Sequence, residues 1–177
     1  MLFINKPLLS LILLLSFNVL GQTGRVYHEV FSKQDGFDID IVRAMNFDND
    51  GFLWLGGENL DIRKIIASNK NQVLQRFNGN SFHSILLPEF DQRILRINQI
   101  YKRKDGKFYI KAEIEEVVHD HILLLFDPYT MEFKKIKILG SSTTSNRLSK
   151  VFNFKDQDYI LSQNKNDITL LNIDNQS

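Results

Sequence analysis

The stretch "NFDNDGFLWLGGENL", residues 46–60, decides how the rest of the chain is read. It holds the only tryptophan, Trp54, with Asp48 and Asp50 ahead of Gly51 and the pair Gly56-Gly57 behind. Three readings compete. Asn46, Asp48 and Asp50 fall at alternate positions before Gly51, as in a helix-flanked calcium loop. That loop needs a bidentate acid at its last position, which here is Gly57, and its flanks should be helical rather than strand-like. A phosphate loop needs Lys-Ser/Thr and a helix N-terminus after the glycines, and neither follows Gly57. The third reading is a β-hairpin. Asp-Gly between two β-rich runs supplies the positive φ of a turn, and aspartate side chains bond the nearby amides.

Working outward, the same pattern returns about every fifty residues, which points to a repeat architecture. Asp50-Gly51 recurs as Asp105-Gly106 and degenerates to Asp156-Gln157. Trp54 recurs as Tyr109 and then Ile160, and Phe77 recurs as Phe126 and then Ile173. The repeats span about residues 36–87, 91–139 and 147–177. Within the first, a second hairpin turns at Asn78-Gly79; within the second, one turns at Asp127-Pro128. Runs such as "FLWL" and "ILLLF" are apolar throughout, as in strands covered on both faces, whereas "MEFKKIKI" alternates like a half-wet outer strand. The fold class expected is all-β: a partial β-propeller of about three four-stranded antiparallel blades, the third incomplete. "RVYHEVF", residues 25–31, reads as a lone strand ahead of the first blade.

The chain has 177 residues, 43% hydrophobic and 24% charged, with net charge +1 and no cysteine. That composition supports one domain with a sizeable core. It excludes disulfides and thiolate chemistry, and it provides no global field for nucleic acid or an anionic membrane. Residues 1–21 read as a signal peptide, with Lys6 ahead of an apolar run at Leu8 to Leu20; the alternative is an uncleaved anchor. Cleavage would remove Lys6 and leave residues 22–177 formally neutral, exported to the periplasm or beyond the cell, with no later membrane span.

Residues 34–60, "QDGFDIDIVRAMNFDNDGFLWLGGENL", together with Leu74-Gln75-Arg76-Phe77-Asn78-Gly79, resemble the two-component regulator propeller repeat. The matching parts are Gly36-Phe37, the strand at Ile41 to Phe47, the turn at Asp48 to Gly51, Trp54-Leu55-Gly56, and Arg76-Phe77 before Gly79. The second unit departs, with Tyr109-Ile110-Lys111 in place of Trp-apolar-Gly. Two further departures are Gly57, where the family usually has threonine, and the long insertion at Asp61 to Gln72. The resemblance implies an exported sensor region at the N-terminal side of a hybrid two-component regulator, many of which respond to oligosaccharides. The expected partners are an oligosaccharide or other small ligand, and the rest of a propeller or another protein chain. Loops at Asp61 to Gln72 and Glu113 to Asp120 are the expected contacts, with Arg63, Lys64, Asn69, Glu115, Glu116 and His119 as candidates. The chain reads as a piece of a larger propeller protein, or as a stand-alone product that assembles with copies of itself.

Catalytic and cofactor readings are weaker. His119 and His121 place two imidazoles on one strand face, as a metal pair without a third ligand or as a strand-end pair. His28 and His83 read as surface residues of outer strands. Glu113, Glu115 and Glu116 read as a solvated rim beside the basic turn Lys102 to Lys104, or as the acid and base of a glycosidase. No nucleophile elbow is present, and Ser141 to Ser145 reads as a linker. Trp54 packs between blades or, if exposed, stacks on a sugar. The expectation is therefore a non-enzymatic sensory or ligand-binding module without cofactor or metal. A stand-alone secreted interaction protein is the alternative, and a glycan-active enzyme the third reading.

Overall fold

Turn chemistry lays out the strands. In the computed structural model, residues 28–60, 73–88, 90, 93–115, 120–137, 147–163 and 168–174 are described. Phe31–Ser177 form one compact unit. In the preceding unit, Met1–Val30, the described residues His28, Glu29 and Val30 belong to no strand, and neither does Phe31, so the described part of the expected strand at 25–31 is not one. The first blade contains β1 (Ile41–Phe47), β2 (Leu53–Glu58), β3 (Leu74–Phe77) and β4 (Phe82–Ser84). The second contains β5 (Ile94–Lys102), β6 (Phe108–Ile114), β7 (His121–Asp127) and β8 (Glu132–Ile136). The third contains β9 (Arg147–Phe154), β10 (Gln157–Gln163) and β11 (Ile168–Asn172). Within each blade, consecutive strands pair antiparallel. The fold is all-β and propeller-like, with four, four and three strands among the described residues. One feature departs from separate blades: Glu58 bridges Arg96, so β2 and β5 merge the first two into one sheet of eight strands.

The hairpin turns explain the repeat markers. Asp48 accepts the amides of Asp50 at 3.0 Å and Phe52 at 2.9 Å, while Gly51 takes φ +85. Asp105 accepts the amide of Lys107 at 3.2 Å, and Gly106 repeats φ +85. The third unit differs. Its turn is Lys155-Asp156, both with positive φ (48 and 66), closed by the pair Phe154↔Gln157. This is the two-residue hairpin that follows strand twist. The expected marker Asp156-Gln157 is thus displaced by one residue. Because side chains alternate faces along a strand, the displacement also moves the aromatic position. Ile160 does not echo Trp54 and Tyr109; it faces the opposite way.

Each blade has a front, toward the next blade, and a back, toward the previous one. Trp54 and Leu74 on the first front pack onto Ile97, Phe108, Ile110 and Phe126 on the second back. Tyr109, Leu123 and Ile136 on the second front pack onto Leu148, Val151, Ile160 and Ile173 on the third back. Cross-strand phenylalanines stack on two successive backs: Phe77 with Phe82 at 4.5 Å, and Phe126 with Phe133 at 4.3 Å. Trp54 stands edge-on over Phe126 at 4.9 Å, and Phe31 stands edge-on over Phe77 at the same distance. Such pairs contribute roughly 0.5–1.5 kcal/mol beyond area burial. The segment before β1 thus covers the first back as the first blade covers the second. Gln75, fully buried, anchors it. Its Nε2 donates to Gly36 O at 2.8 Å and Ser84 Oγ at 3.0 Å, and its Oε1 accepts the Asp38 amide at 3.1 Å. The coverage stops short of β1, which is half-wet rather than dry; Met45 and Phe47 are exposed.

The Gly-Gly pair is where elements approach most closely. A Cβ on Gly56 would lie 2.9 Å from Ile97 Cβ of the second blade, and one on Gly57 would meet Ile41 O and lie 2.6 Å from Ile39 Cγ2. This accounts for glycine at both positions. Gly57→Ala is expected to destabilise by about 3 kcal/mol, the upper end of the usual overpacking range. Gly51→Ala, with φ +85 but nothing within 4 Å, should cost only about 1 kcal/mol of backbone strain. Urea midpoints of the two variants check this; equal losses would mean that Gly57 is not in a tight contact.

Candidate ligand-binding end of the blades

The tight turns lie at one end of the blades, and the long connections leave from the other. At that loop end, five neighbouring strands each contribute one ionisable side chain. Arg43 on β1 donates to Glu58 on β2. Arg96 on β5 stands 3.1 Å from Glu58 Oε2, and its other terminal nitrogen donates to Glu113 Oε1 on β6, also at 3.1 Å. His121 Nε2 on β7 lies 4.0 Å from Glu113 Oε2. The order follows from strand pairing, since Glu58↔Arg96, Arg96↔Glu113 and Glu113↔His121 are direct register partners. The side chains of Glu58, Glu113 and His121 are nearly enclosed. One guanidinium therefore holds two carboxylates from different blades, an arrangement of charge-assisted bonds that fixes register. Beside it, Arg93 and Glu115 pair at 3.6 Å, the Glu115 amide donates to Arg93 O at 3.0 Å, and the Ile114 amide to Asp120 O at 3.1 Å.

The sequence-derived candidates divide accordingly. Arg63, Lys64, Asn69, Glu116 and His119 lie outside the described residues, as does the linker Ser141 to Ser145. Glu115 is at the loop end and exposed. Two expectations are corrected. Glu113 and Glu115 do not sit beside Lys102 to Lys104; the two groups lie toward opposite ends of β6, a strand of seven residues, hence about 20 Å apart. Glu113 is not a solvated rim residue, because Arg96 and the neighbouring strands enclose it. His121 is the strand-end residue expected, and His83 is an exposed residue of β4. Among the described residues, no group of three or more His, Asp or Glu is placed to hold a metal ion. Glu58, Arg96 and Gln75 were not singled out from the sequence. The available signal was a lone polar or charged residue ending or interrupting an apolar strand.

The opening stretch carries structure rather than a site. Trp54 is fully buried, so it is not a sugar-stacking platform, and its Nε1 donates to Asp48 Oδ2 at 2.8 Å. Both Asp48 oxygens thus receive N–H donors. Arg76 lies 4.7 Å over the Phe52 ring and 5.9 Å over Trp54. In the second blade the polarity is reversed: Arg103 occupies the place of Asp48 and donates to the hydroxyl of Tyr109, which replaces Trp54. Donor and acceptor have exchanged while the contact remains.

Burial pushes the Tyr109 hydroxyl up to about 12, against the opposing pull of Arg103, with Asp174 and Asp158 adding to the rise. Tyr101, bonded to Asp158 at 3.2 Å, is also raised, first by burial. Both tyrosines hold their protons more tightly when folded, so their contribution to stability is constant below about pH 10 and is lost as pH rises toward about 12. Alkaline titration of tyrosinate absorbance is expected to show these rings ionising only with unfolding, and Tyr109→Phe should flatten the alkaline fall in urea midpoint. A Tyr109 titrating like a free phenol would contradict this packing. Lys111 is a half-buried cation. It donates to Leu148 O at 3.2 Å and Ser149 O at 2.6 Å on the third blade, and burial lowers its pKa, partly opposed by Glu113.

A cleft of ≈380 Å³ lies elsewhere, at the turn end and outer edge of the second blade. It is lined by Lys107, Leu125, Asp127, Glu132, Phe133 and Lys134, with Lys107 and Asp127 paired at 3.1 Å. It is open and does not gather the convergent polar groups of a built site. The chain matches no family model and no curated protein sequence.

Proposed function

We propose that this chain is a non-enzymatic, exported sensory or ligand-binding propeller module, related to the N-terminal sensor region of hybrid two-component regulators. Its ligand is an oligosaccharide or another small polar molecule, bound at the loop end of the blades. The observation that supports this is the charged row at that end. The connections leaving β2 and β6 flank Glu58 and Glu113, which a single Arg96 ties together across the first two blades. Binding loops mounted on such a rigid support follow the usual division between scaffold and site. The carboxylate of Glu113 is engaged by Arg96 and enclosed, which supports a structural role over that of a glycosidase acid or base.

Calorimetric titration of residues 22–177 with a panel of oligosaccharides tests the reading. One class is expected to bind, with Arg63→Ala or Glu115→Ala weakening it about tenfold, or about 1.4 kcal/mol. If no panel member binds, or if binding ignores both substitutions, the proposal fails. Glycan hydrolysis abolished by Glu113→Gln, Glu115→Gln and Glu116→Gln would favour the enzyme reading instead. A secreted interaction protein is supported by a separate observation: large apolar side chains are exposed on both terminal blades.

A further inference from the structure

Asn78-Gly79, in the turn of the β3–β4 hairpin, is the one Asn-Gly pair in the sequence. The turns at Asp50-Gly51 and Asp105-Gly106 carry a carboxylate where this one carries an amide. The difference is chemical: a backbone nitrogen displaces ammonia from an amide far more readily than it displaces oxygen from a carboxylate. Asn78 and Gly79 are both exposed, so water reaches the pair.

The surrounding atoms prepare that displacement. Asn78 Oδ1 accepts the amides of Asn80 and Ser81, each at 2.9 Å, which folds the carboxamide back toward Gly79. The same two N–H groups are aimed where negative charge develops if Cγ becomes tetrahedral. The Gly79 amide donates no hydrogen bond among the described residues, and a Cβ there would meet nothing within 4 Å, so the nitrogen is uncommitted and uncrowded. His83 Nε2 lies 3.5 Å from Asn78 Nδ2, the nitrogen that must depart, and 3.1 Å from Ser81 Oγ. Asn80, in the same turn, lacks this preparation: the amide that follows it, Ser81 N, is already bonded to Asn78.

We propose that this turn is a self-modifying site, at which Asn78 deamidates in the folded protein with His83 as the acid. The Gly79 nitrogen loses its proton to water and bonds to Asn78 Cγ. The Cγ–Nδ2 bond breaks; the departing nitrogen takes a proton from His83 and leaves as ammonia, and water returns a proton to the imidazole. The cyclic imide then adds water at either carbonyl. One opening gives aspartate. The other gives isoaspartate, whose main chain runs through the side-chain carbon. Nothing is oxidised or reduced. Isoaspartate lengthens the main chain by one carbon just after Phe77, whose ring stacks on Phe82 and meets Phe31.

Peptide mapping by mass spectrometry, after incubation of the purified protein at neutral pH, tests this. The mass of an amide-to-acid exchange is expected at Asn78 and not at Asn80, divided between aspartate and isoaspartate, and no slower in the native protein than in urea. His83→Ala, at an exposed position, should slow native conversion about tenfold, below the usual range for a positioned acid because the ring is exposed. It should leave the rate in urea unchanged. His83→Gln, which keeps a hydrogen-bond donor but no acidic proton, should be as slow as the alanine variant. An Asn78 that keeps its amide in the native protein while converting in urea would overturn the proposal, because the turn would then protect the residue. Conversion to aspartate alone, or a His83→Gln rate equal to that of the wild type, would overturn it as well.

Discussion

Trp54→Ala is expected to lower stability by about 3–5 kcal/mol, the range for removing a large buried aromatic. For a unit of this size that corresponds to a fall in Tm of roughly 10 °C. The indole is fully buried, stands 4.9 Å from the Phe126 ring and 6.0 Å from Phe108, and fills the space between the first two blades. Its removal leaves a cavity that the sheets cannot close, because Gly56 already stands against Ile97. It also takes the N–H from Asp48, whose other oxygen holds the turn amides. Trp54→Phe should retain most of the packing and lose mainly the 2.8 Å bond, a smaller loss of about 1–3 kcal/mol. Thermal melts of both variants check the order. Equal losses would show that the indole N–H, not the ring volume, dominates.

The second large effect is expected at the charged row. Arg96→Met removes the guanidinium between Glu58 and Glu113 and leaves two nearly enclosed carboxylates facing each other across the blade junction. Breaking a buried pair costs about 3–5 kcal/mol. Arg96 retains some exposure, which sets the expectation near about 3 kcal/mol. Replacing the carboxylates as well should recover much of the loss, because an isosteric apolar set avoids their desolvation. Urea unfolding of Arg96→Met and of the variant that also carries Glu58→Met and Glu113→Met reads this directly, and a combined variant no more stable than Arg96→Met would contradict the electrostatic account.

These two positions differ in how visible they were beforehand. Trp54 announced itself through repetition, since a turn and an aromatic recurring at Asp105-Gly106 and Tyr109 impose the same hairpin twice. Local chemistry suffices for that: Asp-Gly specifies the turn, and alternation specifies the faces. The third unit was misread at Ile160 because a two-residue turn replaces the longer loop, and spacing alone does not reveal which residues will pair. Arg96 was invisible for a different reason. Glu113 faces it across one hairpin, but only blade packing brings Glu58 to it. Gln75 likewise owes its role to Gly36 and Asp38, which lie nearly forty positions away and reach it only once Phe31 and Phe37 settle on the first blade. The replacement of Trp54 by Tyr109 was legible in the aligned repeats; that of Asp48 by Arg103 was not read from them. The exchange became meaningful only when both pairs were seen to make the same contact.

The blades stack front to back with their turns side by side, and the absence of cysteine allows a clean test of that stacking. A Cβ at Gly106 would lie 3.5 Å from Asn49 Cγ, so the turns of the first and second blades are within disulfide reach. In the variant Asn49→Cys with Gly106→Cys, mild oxidation and mass spectrometry of the peptide map should find an intramolecular disulfide in nearly all of the folded protein. Two free thiols, or cross-links only between molecules, would contradict the stacking on which the fold and the loop-end site both depend.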